Sequence, residues 1–239
     1  MVNVMSTSDG PEEVFKVMYD LLINNSFDRM KTYVKESHDL MRFKKDQMMV
    51  NFKEELEVFP NAQGLTTRVY AEHFENYDRQ FIAILMNSAF ISAYTLFEVI
   101  FEKICNFAES RYKLRLSASE LSGNGIIGKS KKYIEKVAGV NLDAVGEYWK
   151  QIDTCRKLRN SIIHEQGVVK STNNFLTQHV RSHAHIALFN PIETSTTTFY
   201  IKDTQFVIEF CELAHDYLSY VLQELVKIKL SDSIGDRTT

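Results

Sequence analysis

Between Thr66 and Arg115 the chain carries neither glycine nor proline. A run of that length without a breaker reads as one long helix, and a chain that must house it has few folds open to it. The rest is nearly as poor in breakers, with 9 Gly and 3 Pro in 239 residues. Leu, Ile, Lys and Glu are plentiful, so long helices are expected throughout. Apolar residues make up 44% of the chain, enough for a core. The length suits one large domain, or one domain with a helical extension.

Asp9-Gly10-Pro11-Glu12 reads as a helix start, with Pro and Glu in the first turn. That helix is expected to reach Ile23, where Asn24-Asn25-Ser26 breaks it. A second helix spans about Phe27 to Phe59. Pro60-Asn61-Ala62-Gln63-Gly64 is the clearest linker, and it divides an N-terminal helical extension, 1–64, from a helical domain, 65–230. The polar tail 231–239 is expected to fray. The long helix from Thr66 is expected to kink near Asn76. Ser117-Ala118-Ser119-Glu120 is a capping-box pattern opening a short helix. Gly123 to Gly128 reads as a loop, Lys129 to Val137 as a short helix ended by Gly139, and Leu142 to His164 as a further helix. Phe175 to His183 forms another. His185–Phe189 and Thr197–Ile201 read as two strands of a hairpin around Asn190-Pro191. Asp203 then caps a last helix, about Thr204 to Lys229. The fold class is all-α, with a small β-hairpin insertion before the last helix.

The net charge of −3 argues against a broad nucleic-acid footprint, so any RNA contact must come from a local basic patch. Cys105, Cys155 and Cys211 are odd in number and far apart in apolar or helical settings. They read as reduced core residues of a cytoplasmic protein. Met1 to Gly10 lacks the hydrophobic run of a signal peptide. Phe81 to Phe101 is long enough to raise a membrane question. It carries Asn87, Ser88, Ser92, Thr95 and Glu98, so a central helix buried on most faces accounts for it better, and no membrane partner is expected.

The chemistry-bearing stretch is Arg159-Asn160-Ser161-Ile162-Ile163-His164. An Arg and a His inside an apolar helical segment cost free energy unless they are paired or open to a cleft. Helical spacing puts Arg156, Asn160 and His164 on one face. Arg159 lies about 140° around the helix from His164. One straight helix therefore does not aim both groups at one point. Either the helix ends or distorts before His164, as Gly167 hints, or two copies face each other. The plain alternative is a helix end whose cationic residues suit its dipole.

Arg159-Asn160-x-x-x-His164 resembles the Arg-polar-x-x-x-His signature of HEPN domains (higher eukaryotes and prokaryotes nucleotide-binding). Its flanks resemble bacterial members as well: Lys129-x-Lys131-Lys132-Tyr133-Ile134, Trp149-Lys150-x-Ile152, and Leu158 through Glu165-x-Gly167. The apolar helix with Tyr94-Thr95-Leu96-Phe97-Glu98 is similar to the family's first core helix. The resemblance covers about residues 80–230. It implies an antiparallel helical bundle that forms a homodimer. It also implies a metal-independent endoribonuclease without cofactors, acting at a composite interface site in a toxin or antiphage effector, with an antitoxin or regulatory protein as a further partner. The residues carried over are Arg159, Asn160 and His164, with Glu98 in support. Some family toxins continue the motif as His-x-Tyr and are modified on that Tyr; here the position is Gln166.

In RNA cleavage the 2′-OH loses a proton as it attacks phosphorus, and the leaving 5′-oxygen gains one. Two imidazoles, one per protomer, can serve as base and acid near neutral pH. Two guanidiniums can hold the phosphate oxygens as charge builds. Asn160 would orient His164 or bind a phosphate oxygen. Glu98 would pair with an Arg, or else pack at a helix surface. Arg156 supports the site, and Lys129, Lys132 and Lys157 are the candidates for RNA backbone contact.

Two further patterns are weaker. Gly123-Asn124-Gly125-Ile126-Ile127-Gly128-Lys129-Ser130 fits the P-loop spelling, but a P-loop follows a buried strand, and Leu114 to Ser122 reads as a capped helical turn. His179 and His183 have the i, i+4 spacing of metal ligands with His185 beyond. No carboxylate or Cys stands nearby in sequence, so no metal is expected. Phe90, Tyr94, Phe97 and Phe101 follow helical spacing and read as core or dimer seam.

Overall fold

The computed structural model describes residues 10–123, 125–170, 174–189 and 196–228. Among these the chain is mostly helical, with a small three-stranded antiparallel sheet. The elements follow in order: α1 (Pro11–Met18), a π-helical turn (Tyr19–Asn24), α2 (Asn25–Val58), a 3-10 turn (Pro60–Ala62), α3 (Gln63–Glu75), a second π turn (Asn76–Phe81) and α4 (Ile82–Tyr112). A 3-10 turn (Ala118–Glu120), α5 (Gly125–Lys136), a 3-10 turn (Asp143–Val145), α6 (Gly146–Glu165), β1 (Val168–Lys170), α7 (Asn174–Ser182), β2 (Ile186–Leu188), β3 (Thr196–Ile201) and α8 (Thr204–Lys227) complete it. The tail 231–239, the hairpin turn at Asn190-Pro191 and Asn124 of the glycine-rich motif lie outside the described residues.

The chain divides into two compact units. The first takes Met1–Asp28, Thr95–Ile152 and Glu212–Thr239, and the second Arg29–Tyr94 and Asp153–Cys211. Residue 64 falls inside the second unit. Helices α2, α4, α6 and α8 each contribute residues to both.

In the first unit the core is built at helical spacing. Phe97, Ile100, Phe101, Ile104 and Ala108 of α4 are buried, as are Ala214, Tyr217, Leu218, Val221, Leu222 and Leu225 of α8. Tyr217 takes Phe101 edge-on at 5.7 Å and Trp149 at 5.6 Å. The break expected at Asn24-Asn25-Ser26 does not occur. The helix passes through as a π turn, and Asn25 keeps a right-handed helical backbone. The reason is packing. Ile23 and Phe27 are fully buried, and each such burial contributes about 1.5–3 kcal/mol. The helix penalty of an Asn is at most about 0.7 kcal/mol. The capping box at Ser117 and Glu120 forms as its spelling foretells. Helix α5 begins at Gly125, four residues ahead of the expected start, so part of the glycine-rich loop is helical.

In the second unit α2 and α3 form a helical hairpin, with Phe52 against Tyr70 at 4.9 Å and Tyr70 Oη donating to Glu55 over 3.0 Å. Lys45 pairs with Asp78. The linker expected at Pro60–Gly64 is no more than the tight turn of this hairpin. The kink expected near Asn76 coincides with the second π turn. The sheet has strand order β1-β3-β2, so the expected two-stranded hairpin gains a third strand. That strand is not among those expected from the sequence; its pairing with β3, Val168 opposite Thr198 to Lys170 opposite Thr196, is what defines it. Phe90 meets Phe206 and Phe210 edge-on at 5.1 and 5.4 Å, and Tyr94 stacks on Phe210 at 5.4 Å. The aromatic series Phe90, Tyr94, Phe97 and Phe101 is therefore core, each ring buried within the chain. Asn87 Oδ1 accepts the Ile201 N–H over 3.1 Å, tying β3 to α4.

The helical run Gly64–Tyr112 is long and apolar enough to cross a membrane by length and composition, and 44% of its most apolar window is buried within the chain. Burial on most faces is thus more than this window has: Ile84 and Val99 stay exposed. Cys105, Cys155 and Cys211 are all free thiols; Cys105 and Cys211 are core residues, whereas Cys155, expected in the core, is only half-buried on α6. Burial pushes the Cys105 and Cys155 thiols up to about 12, so neither is a ready nucleophile.

Candidate functional site

Helix α6 carries the Arg/His stretch. Its inward face is fixed by Leu158 and Ser161, both buried. The helix continues through His164 to Glu165, so the expected ending or distortion before His164 is not found. Termination comes just after. Gln166 and Gly167 take left-handed backbones, φ 55° and 76°. The Gly167 N–H donates back to the Ser161 carbonyl over 3.0 Å, and Ser161 Oγ donates to the Val168 carbonyl over 2.9 Å. The chain reverses directly into β1, and the last turn of α6 is pinned to the sheet.

Arg159 is half-buried. Its Nη1 donates to Asn160 Oδ1 over 3.2 Å, and its guanidinium carbon lies 5.9 Å from the centre of the Tyr94 ring. A flat cation over an aromatic face is attracted by the ring quadrupole. The structure thus brings together Arg159, Asn160 and Tyr94. His164 is exposed on the last turn, and its side chain makes no hydrogen bond or ion pair among the described residues. On a regular helix the five-residue step leaves it about 140° from Arg159.

Asp153 is the participant the sequence reading missed. Arg156 Nε donates to its Oδ1 over 2.9 Å, and Lys157 Nζ lies 3.0 Å from its Oδ2. Burial opposes the charge on this carboxyl, but the hydrogen bonds and charges of Lys157 and Arg156 outweigh it and hold the carboxyl below the usual range. The i, i+3 and i, i+4 spacings from Asp153 were legible in the sequence. Lys157 also sits over the Phe175 ring at 5.3 Å.

Glu98 lies half-buried on α4 in the first unit, whereas Arg159 and His164 belong to the second. Lys129 and Lys132, also in the first unit, turn back onto the preceding loop. Lys129 Nζ donates to the Ser119 carbonyl over 3.1 Å, and Lys132 Nζ donates to the Ser122 carbonyl over 3.3 Å. What precedes the glycine-rich motif is the 3-10 turn Ala118–Glu120, not a strand, so the motif lacks the setting of a P-loop.

The three histidines do meet, with ring centres 5.2 Å apart for His179 and His183 and 5.9 Å for His183 and His185. Carboxylates distant in sequence join them: His185 Nδ1 lies 2.9 Å from Asp203 Oδ2, and its Nε2 lies 3.4 Å from Glu209 Oε1. Among the described residues, no group of three or more His, Cys, Asp or Glu is arranged to hold a metal ion.

Comparison with protein-family models, with curated proteins and with solved structures returned no match.

Proposed function

We propose that this chain is a HEPN-type helical bundle acting as a metal-independent endoribonuclease, with a site completed by two protomers. The observation that carries the reading is the contrast along α6. Arg159 is held in place by Asn160 and Tyr94, while His164 stands exposed one turn further on, facing elsewhere. A positioned guanidinium suits a phosphate, and an open imidazole suits proton transfer. A second copy of α6 supplies the groups that one straight helix cannot converge. One His164 takes the 2′-OH proton as that oxygen attacks phosphorus, and the other protonates the leaving 5′-oxygen. The two Arg159 side chains carry the building negative charge. The products are a 2′,3′-cyclic phosphate and a 5′-OH, and DNA, lacking the nucleophile, is not cut. A cytoplasmic toxin or antiphage role, restrained by an antitoxin or regulatory protein, follows from the resemblance of the motif alone.

The test is cleavage of single-stranded RNA by the purified chain in excess EDTA. Cleavage that disappears in both Arg159→Ala and His164→Ala, with cyclic-phosphate ends on the products, supports the proposal. Cleavage that EDTA abolishes, or that survives both substitutions, refutes it. A second reading, a helical module that binds RNA or protein without cutting, draws on a different observation. Arg156 and Lys157 are spent on Asp153, and Lys129 and Lys132 on loop carbonyls, which leaves little cation for a phosphate backbone. Binding without cleavage would favour it.

A further inference from the structure

A second constellation stands in the first unit and is independent of the RNA-cleavage reading. The Tyr19 hydroxyl lies 2.9 Å from His215 Nε2, and His215 Nδ1 lies 2.9 Å from Asp216 Oδ1. An ionised carboxylate only accepts, so Nδ1 carries the ring proton and Nε2 remains an acceptor for the phenol O–H. A hydroxyl on an imidazole that is itself oriented by a third group is the arrangement that activates a weak nucleophile. Tyr19 also opens the π turn Tyr19–Asn24, a rare helical form found frequently at functional sites.

The helix faces that hold this relay lead on to a cavity, walled one turn before Tyr19 and two turns after His215. Glu12, Phe15 and Tyr19 share one face of α1, and His215, Ser219, Gln223 and Val226 share one face of α8. Phe15 stacks on Tyr19 at 5.4 Å and forms part of the wall of a cavity of about 630 Å³, lined by Gly10, Glu12, Phe15, Gln223, Val226 and Lys227. That volume is in the range of small-molecule sites. Phe15 and Val226 give it apolar walls. Lys227 is paired with Glu224 over 2.6 Å, so the lining suits an apolar acyl group better than a phosphate.

We propose that Tyr19 is a nucleophile for acyl transfer from an activated ester. Tyr19 Oη attacks the carbonyl carbon as its proton passes to His215 Nε2. The bond from that carbon to the leaving oxygen or sulfur breaks, and the leaving group takes the proton from Nε2, giving acyl-Tyr19 and a free phenol or thiol. Water then attacks the acyl carbon with His215 as base, releasing a carboxylic acid and restoring the tyrosine. A phenol titrates near 10 and a thiol near 8.5, so the leaving group must be a thiol or a phenol of at least equal acidity, not an alkyl alcohol. The substrate class is therefore a thioester or aryl ester of an apolar acid.

The probe is p-nitrophenyl butyrate with the full chain. A burst of p-nitrophenolate stoichiometric with protein is expected, with the butyryl group mapped by mass spectrometry to Tyr19 and not to Tyr33, a tyrosine 54% exposed on α2. Tyr19→Phe keeps the ring packing and removes the burst. His215→Ala slows it by at least tenfold, and added imidazole restores it, a rescue that a purely structural tie between α1 and α8 would not show. Acylation of Tyr19 no faster than that of Tyr33 overturns the proposal. So does a burst that His215→Ala leaves unchanged, or a loss in His215→Ala that imidazole does not recover.

Discussion

Gly167 and the Phe199 carbonyl approach so closely that a Cβ on Gly167 would stand 2.4 Å from that oxygen. The two backbones are already joined there, with the Phe199 N–H donating to the Gly167 carbonyl over 2.9 Å. This junction, right after His164, sets where α6 stops and where β1 starts.

Gly167→Ala should therefore be costly. It adds a backbone clash to a left-handed conformation at φ 76°. A loss of about 3 kcal/mol is expected, or a fall in Tm of roughly 10 °C, read by thermal unfolding. Gln166→Gly, at the neighbouring left-handed position, should change stability by less than about 1 kcal/mol, since relieved strain offsets the added freedom of the unfolded chain. Equal losses in both would show that the close contact with Phe199 does not matter.

Asp153→Asn releases Arg156 and Lys157. If α6 meets RNA, binding should tighten and the slope of log affinity against log salt should steepen by about 1.4, for two more phosphate contacts on a single strand. Filter binding across a salt series measures this. The released pairs are part-exposed, so stability should fall by no more than about 1 kcal/mol. Because the folded carboxyl sits below its unfolded value, its contribution is present above the ordinary carboxylate range. It is lost as pH falls through the folded value.

His179 and His183 act in a window above that of Asp153, and with the same sign. Burial, then repulsion from His183, lowers His179. His183 is lowered by burial first and by His185, against the opposing pull of Glu209 and Asp203. A histidine lowered on folding binds protons more readily when unfolded, so stability rises with pH across the window from the folded value to the unfolded one near 6.5. Melting temperatures measured from pH 4.5 to 7.5 should climb, and the double variant His179→Gln with His183→Gln should flatten the climb. An unchanged profile in the double variant would assign the effect elsewhere.

Mixing wild-type chain with an excess of His164→Ala tests the shared site. If each site needs an imidazole from both protomers, RNA cleavage should fall as the square of the wild-type fraction. A linear fall would mean that a single protomer suffices.

What was legible in the sequence rests on local rules. The absence of breakers from Thr66 to Arg115 announced α3 and α4, the Ser117–Glu120 spelling announced its capping box, and Asp203 caps α8 through the Gln205 N–H over 3.1 Å. Periodicity placed Phe90, Tyr94, Phe97 and Phe101 on one apolar face, core or dimer seam, and burial within the chain decides for the core. Each of these signals acts within about four residues, where helix geometry is fixed by the backbone. The remaining features needed distant partners. Ile23 and Phe27 carried a helix through Asn24 and Asn25 because both are buried in the first unit. Val168–Lys170 became a strand because β3 pairs with it, and His185 found Asp203 and Glu209 across the chain. Arg159 came to rest over Tyr94, and Tyr19 on His215, through packing between helices far apart in sequence. Sequence by itself determined most of the helical segments and which residues can do chemistry; only the tertiary structure decided where helices run through local breakers and which of those residues meet, because such outcomes depend on burial summed over the fold and not on spacing along one element.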